Sequence, residues 1–107
     1  MARVELGETF LADVQRQIGH LAATEEWVRI DRLAEDIVRL GERLARFPEL
    51  GRELTRERGR TLRRISVGRL PYLVWYRFDP RDDGVIRMSR LFHAHQRTPK
   101  LPPPTRL

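Results

Sequence analysis

The chain contains no cysteine, so no disulfide framework can staple it and no thiolate is on hand to hold a metal. No apolar stretch approaches the roughly 20 residues that would span a bilayer, and the opening MARVELGETF lacks the apolar run of a signal peptide. Lysine is nearly absent, Lys100 being the only one among 21 basic residues. Proline is scarce until the end, where Pro99, Pro102, Pro103 and Pro104 crowd together, too many for a helix or an inner strand. These absences exclude a disulfide-rich secreted scaffold and a membrane partner. They lead to the expectation of a cytoplasmic protein with one domain over residues 1–98 and an extended, mobile tail over 99–107. The 107 residues suffice for one modest core, and dividing them would leave pieces too small to stand alone.

What the chain does have is arginine, unevenly placed. Residues 1–50 carry seven arginines against ten carboxylates, a net −3, whereas residues 51–107 carry fourteen basic residues against five acids, a net +9. A bias toward arginine across a whole proteome would explain the choice of residue but not this segregation. A field of that kind favours an anionic partner: RNA, DNA or an acidic protein.

The acidic half reads as a short strand and two helices. Residues 2–6 alternate apolar and charged positions, as a half-buried strand does. A helix is predicted from about Thr9, with Leu11, Val14, Ile18 and Leu21 forming one face. Thr24, followed by Glu25 and Glu26, has the chemistry of an N-cap with acids in the first turn. The second helix then carries a seam of Ile30, Leu33, Ile37, Leu40, Leu44 and Phe47, and Pro48 ends it by disfavouring helical geometry at the residue before. So short a connection makes the pair an antiparallel hairpin.

From residue 61 the period becomes extended. Residues 61–67 form a strand, Gly68-Arg69 fits a two-residue turn with glycine first, and residues 70–78 form a central strand that is apolar on both faces. The polar segment 79–84 is a turn, and residues 85–92 form the last strand. The expected fold is α+β: a helical hairpin packed on one face of a twisted, mainly antiparallel four-stranded sheet, in the order β-α-α-β-β-β. Strand alternation then places Val74, Tyr76, Ile86, Met88, Ile65 and Val67 toward the helices. Arg64, Arg77, Arg87, Ser89 and His93 are left on an open face, unless a one-residue bulge exchanges Arg90 for Arg87.

The segment PELGREL at 48–54 and the run LRRISVGRLPYLVWYRFDPRDDGVIRMSRLFHAHQ at 62–96, preceded by the helical hairpin, resemble the RelE/ParE superfamily, the toxic halves of bacterial type II toxin–antitoxin pairs. The resemblance covers nearly the whole chain and rests on order and spacing. It implies a cognate antitoxin as partner and one of two targets.

Superfamily members of the RelE type are metal-independent mRNA endoribonucleases acting on the ribosome. They need a base, a cation for the phosphorane and an acid for the leaving oxygen. Against their pattern Glu53, Arg69 and His93 match as the catalytic set, while the terminal tyrosine position holds Ala94. ParE-type members poison DNA gyrase, and the ending Arg90-Leu91-Phe92-His93-Ala94-His95-Gln96-Arg97 is more similar to theirs. The resemblance therefore implies a gyrase inhibitor whose target-binding residues are Arg64, Arg77, Arg87, Arg90, His93 and His95. The alternatives are the ribosome-dependent RNase and, from another class, a non-toxic nucleic-acid-binding or adaptor domain.

Blander readings stand beside these. Arg63 and Arg64 fit solvent-facing sheet charges equally well, and Trp75 and Tyr72 fit the core better than a stacking platform. Glu53, in the charge-rich stretch ELTRERGR, fits a solvated salt-bridge partner. His93 and His95 lie two apart with no third ligand in view, and His20 reads as an ordinary surface residue. No metal and no cofactor is expected.

Overall fold

Among the described residues seven elements follow one another in the order β1 (Arg3–Leu6), α1 (Glu8–Ala23), α2 (Trp27–Arg46), β2 (Arg52–Glu57), β3 (Arg60–Ser66), β4 (Tyr72–Phe78) and β5 (Val85–His93). The structure is a computed structural model and describes residues 2–69, 71–81, 84–96 and 98–101. Most of the proposed tail lies outside the described residues, as does Leu70. Among the described residues no helix is long and apolar enough to cross a membrane.

The two helices pack against a five-stranded mixed sheet of order β1-β5-β4-β3-β2, which corrects the expected four-stranded, antiparallel arrangement in two ways. The extra strand is β2, whose sequence RELTRE has no apolar alternation because it is an edge: Leu54 alone turns to an apolar cluster. The parallel pair is β1 with β5, joined through the helical hairpin and three further strands. The remaining pairs are antiparallel.

The core lies mainly between helices and sheet, where Leu33, Leu40 and Leu44 of α2 and Phe10 and Leu21 of α1 meet Val74, Tyr76, Ile86, Met88 and Leu91. A second cluster occupies the opposite face, with Leu62, Trp75 and Phe92 packed against Leu54 and Leu73. Trp75 and Phe92 meet edge to face, with ring centroids 5.6 Å apart, a geometry worth about 0.5–1.5 kcal/mol beyond area burial. β4 is thus covered on both sides, as its doubly apolar sequence requires.

Three local expectations change. Thr24 does not start α2 but closes α1 as its C-cap. Glu25 then adopts φ 57°, and Glu26 is the N-cap of α2. Phe47 leaves the α2 seam and is 61% exposed, because the helix has already ended at Arg46 and Phe47 is its extended C-cap. The link between β3 and β4 exceeds two residues: Val67 N–H donates to Tyr72 O, and Pro71, which has no N–H to give a ladder, lies within the turn.

The PELGREL segment is a structural joint. Tyr76 Oη donates to Pro48 O at 2.8 Å and accepts from Gly51 N–H at 2.8 Å. Arg63, buried rather than solvent-facing, donates to Gly51 O at 2.8 Å, to Glu49 O at 3.2 Å and to Thr61 Oγ1 at 3.1 Å. Burial raises the Tyr76 hydroxyl pKa. A buried guanidinium and phenol that satisfy backbone groups in this way lock the passage from α2 into the sheet.

Candidate functional site at the end of the last strand

β5 carries a bulge. Trp75 pairs with Arg90 but Tyr76 pairs with Met88, so Ser89 is the extra residue and the side-chain phase of the strand changes there. Before it, Ile86 and Met88 face the helices. After it, Leu91 does so and Phe92 joins Trp75 on the other face. His93, expected on the open face, stands instead opposite Tyr72, a residue of the helix-side core. The two rings meet edge to face at 5.4 Å, and burial raises the Tyr72 pKa.

α1 holds this end of β5 through polar groups. Its buried residues are Phe10, Asp13, Gln17 and Leu21, whereas Leu11, placed in the predicted apolar face, is 44% exposed. The helix is rotated from its apolar stripe so that Asp13 and Gln17 reach β5. Asp13 accepts from Arg90 Nε at 2.8 Å and from the backbone N–H of Leu91 at 3.0 Å, and Arg16 reaches it at 3.3 Å. Gln17 Nε2 donates to Gln96 Oε1 at 2.7 Å, and the same oxygen accepts from His93 N–H at 2.7 Å. His95 N–H donates to His93 Nδ1 at 3.0 Å, so this imidazole carries its proton on Nε2 when neutral.

On the face away from the helices, strand register lines up two rows. One runs Arg52, Arg64, Trp75, Arg90 across β2 to β5, and the next places Leu62, Arg77 and Arg87 side by side, with Glu5 of β1 beyond. Arg87 is paired with Glu5 at 2.9 Å, which lowers the pKa of that carboxyl. Arg90 is held by Asp13. No ion pair or hydrogen bond joins the side chains of Arg64 and Arg77 to another described residue. The buried indole Nε1 of Trp75 has no hydrogen-bond partner among the described residues.

The three residues that match the RNase pattern are spread across the sheet. Arg69, in the β3–β4 turn, and His93, opposite the first residue of β4, lie at the same end. Glu53 is on edge strand β2, three strands from β5 in the sheet order, which is about 14 Å at ~4.8 Å per strand. Its carboxylate accepts from Arg56 at 2.7 Å and lies 3.6 Å from Arg63. The Arg56 hydrogen bond is the main cause of its lowered pKa. The other sequence-derived residues divide in two: His93 and His95 come together at the end of β5, with ring centroids 5.2 Å apart, while Arg64, Arg77, Arg87 and Arg90 belong to the rows on the sheet face.

The residues that organise the site were missed from sequence. Asp13 and Gln17 are four apart and flank the same helical face as Phe10 and Leu21, but polar residues carry no weight in an apolar-period count. Among the described residues no group of three or more His, Cys, Asp or Glu is placed to hold a metal ion. An open groove of about 490 Å³ beside β1, lined by Glu5, Leu6, Glu8, Thr9, Arg87 and Ser89, is separate from the His93 turn.

A family model described as the ParE toxin of type II toxin-antitoxin system, parDE, matches residues 4–98. No curated protein matches the sequence.

Proposed function

The chain belongs to the ParE toxin family of type II toxin–antitoxin systems, and from that premise we propose that it arrests growth by inhibiting DNA gyrase, with the end of β5 and the arginine face as its target-binding surface. The observation that carries this reading is the position of Glu53. A general base must reach the proton it abstracts. Here the candidate base is three strands from His93, and a hydrogen bond from Arg56 at 2.7 Å lowers its affinity for a proton, while Ala94 occupies the position of the RNase tyrosine. Arg64 and Arg77, unpaired among the described residues, and the exposed Arg87 suit the anionic surface of a DNA-bound enzyme.

A family of this kind implies an antitoxin partner. Leu11 of α1 and Trp27, Val28 and Val38 of α2 are exposed and offer apolar surface to an antitoxin segment that is disordered when alone and folds on contact, while acidic residues of the same partner neutralise arginines of the sheet.

One observation favours the ribosome-dependent RNase instead: Arg69 and His93 lie at the same end of the sheet. Two assays on the purified protein separate the readings. Inhibition of gyrase supercoiling, or trapping of cleaved DNA, is the expected result, with Arg90→Ala and His93→Ala reducing it. Codon-specific breaks in a translating extract, mapped by primer extension and abolished by His93→Ala or Arg69→Ala while gyrase is untouched, replace the gyrase reading with the RNase one. Silence in both assays together with harmless overexpression withdraws the activity and leaves an adaptor domain on the same fold. Co-expression with an antitoxin reading frame next to the gene is expected to suppress growth arrest and give a complex on gel filtration.

A further inference from the structure

We infer that Asp13, Gln17 and Gln96 are positioning residues: they hold the bulged end of β5 and the turn at 93–96 in the conformation that fixes Arg90 against α1 and sets His93 and His95 side by side. The inference rests on the reading that Arg90, His93 and His95 carry the toxic activity.

The argument begins where β1 ends. β1 pairs with β5 only as far as Leu6 opposite Met88, and Gly7 N–H still reaches Met88 O at 2.9 Å. Beyond that point no strand among the described residues lies beside the outer edge of β5, and the Leu91 N–H is taken by the Asp13 carboxylate. Asp13 also accepts from Arg90, so one side chain replaces a missing strand and orients the first residue after the bulge. Burying a carboxylate here costs desolvation that an apolar residue on α1 would avoid. Orientation is what the carboxylate supplies in return.

The turn after β5 is held in the same manner. All four of its backbone N–H groups are engaged: His93 with Gln96 Oε1, Ala94 with Pro71 O, His95 with His93 Nδ1, and Gln96 with His93 O. Ala94, His95 and Gln96 are exposed, where water would satisfy these groups equally well. The bonds therefore select a shape. A backbone N–H can only donate, so the atom of Gln96 facing His93 N–H is its oxygen, and Gln17 must offer its amide nitrogen to that same oxygen. Gln96 is a two-donor acceptor that links the turn to α1.

That chemistry fixes the test, made on the full chain. Gln96→Glu keeps an oxygen acceptor for both donors. Gln96→Met and Gln17→Met remove one partner of the link at similar length. The Met variants are expected to need about two- to tenfold more toxin for growth arrest, the scale of one lost orienting hydrogen bond, while still forming the antitoxin complex. Gln96→Glu is expected to remain toxic, although a new negative charge beside an anionic target would by itself weaken it. Full toxicity of Gln96→Met, or equal loss in Gln96→Glu and Gln96→Met, overturns the inference. Because Gln96 is exposed, this pair of variants keeps the test valid even where Gln17→Met fails to fold. His93→Ala and Arg90→Ala separate the two levels: if they abolish toxicity while the Met variants do not, the positioning role alone fails. If they leave toxicity intact, the underlying reading fails and takes the inference with it.

Discussion

Tyr76 Oη accepts the backbone N–H of Gly51 at 2.8 Å, closing a loop between residues 25 apart in the chain. The same hydroxyl donates to Pro48 O, so one buried phenol satisfies both ends of the joint that turns α2 into β2. Gly51 permits the approach: a Cβ there would lie 2.7 Å from Tyr76 Cε1 and 2.9 Å from Arg64 O.

Tyr76→Phe is expected to lower stability by about 1–3 kcal/mol, because it strands a buried N–H and a carbonyl without adding volume. Gly51→Ala should cost at least as much, since the contact includes backbone and cannot be relieved by a rotamer change. Thermal unfolding checks both. An unchanged midpoint for Tyr76→Phe would show that water replaces the phenol and that the joint is not closed.

Asp13→Ala is expected to destabilise by about 2–3 kcal/mol, below the usual loss for breaking a buried pair, because the Arg90 side chain remains 34% exposed and can recover water. Asp13→Leu combined with Arg90→Met should restore part of that loss, since Arg90 no longer stands unpaired although the Leu91 N–H still lacks its acceptor, yet remain non-toxic on the proposed reading. Urea unfolding of the single and double variants tests the coupling; additive losses would rule it out.

Arg77 and Arg87 stand directly opposite each other on adjacent strands. Like charges so placed are destabilising by about 0.2–1 kcal/mol, so Arg77→Thr should stabilise the fold by a few tenths of a kcal/mol and at the same time weaken gyrase inhibition. Guanidinium unfolding read beside the supercoiling assay tests this trade. Lower stability in Arg77→Thr would mean that the arginine stem contributes packing instead.

Asp79 is expected to contribute to acid behaviour. Hydrogen bonds from the Arg81 side chain and backbone N–H, with a further one from Arg60, lower its carboxyl from 3.8 to about 2. The folded state therefore binds this proton less tightly than the unfolded chain. Its contribution to stability is complete above the unfolded value, near pH 4, and is lost as pH falls through about 2. Asp79→Asn should flatten stability between those limits without altering the slope at neutral pH. An unchanged acid limb would assign acid sensitivity to other carboxylates.

Much of the fold is legible in the sequence because it follows from period. The α2 seam from Ile30 to Leu44 needs one partner surface and the doubly apolar β4 needs two, and any arrangement that covers them is close to the right one. The half-by-half charge segregation also survives folding, since β2 to β5 are drawn mostly from the basic half. Register is different. That Arg90 joins Arg87 on the face of Trp75, and which side His93 takes, depends on one extra residue, Ser89, and a one-residue shift inverts every later side chain. Nothing local to Ser89 marks it as the bulge. The partner that stabilises it, Asp13, lies 77 residues away from Arg90. β2 was hidden for a related reason, because an edge strand buries little and its charges give no alternation to count. Composition and period thus determined the layers and their charge. The bulge, the polar grip of α1 and the separation of Glu53 from His93 were decided by tertiary contacts, because hydrogen bonds between distant residues leave no periodic trace in the chain.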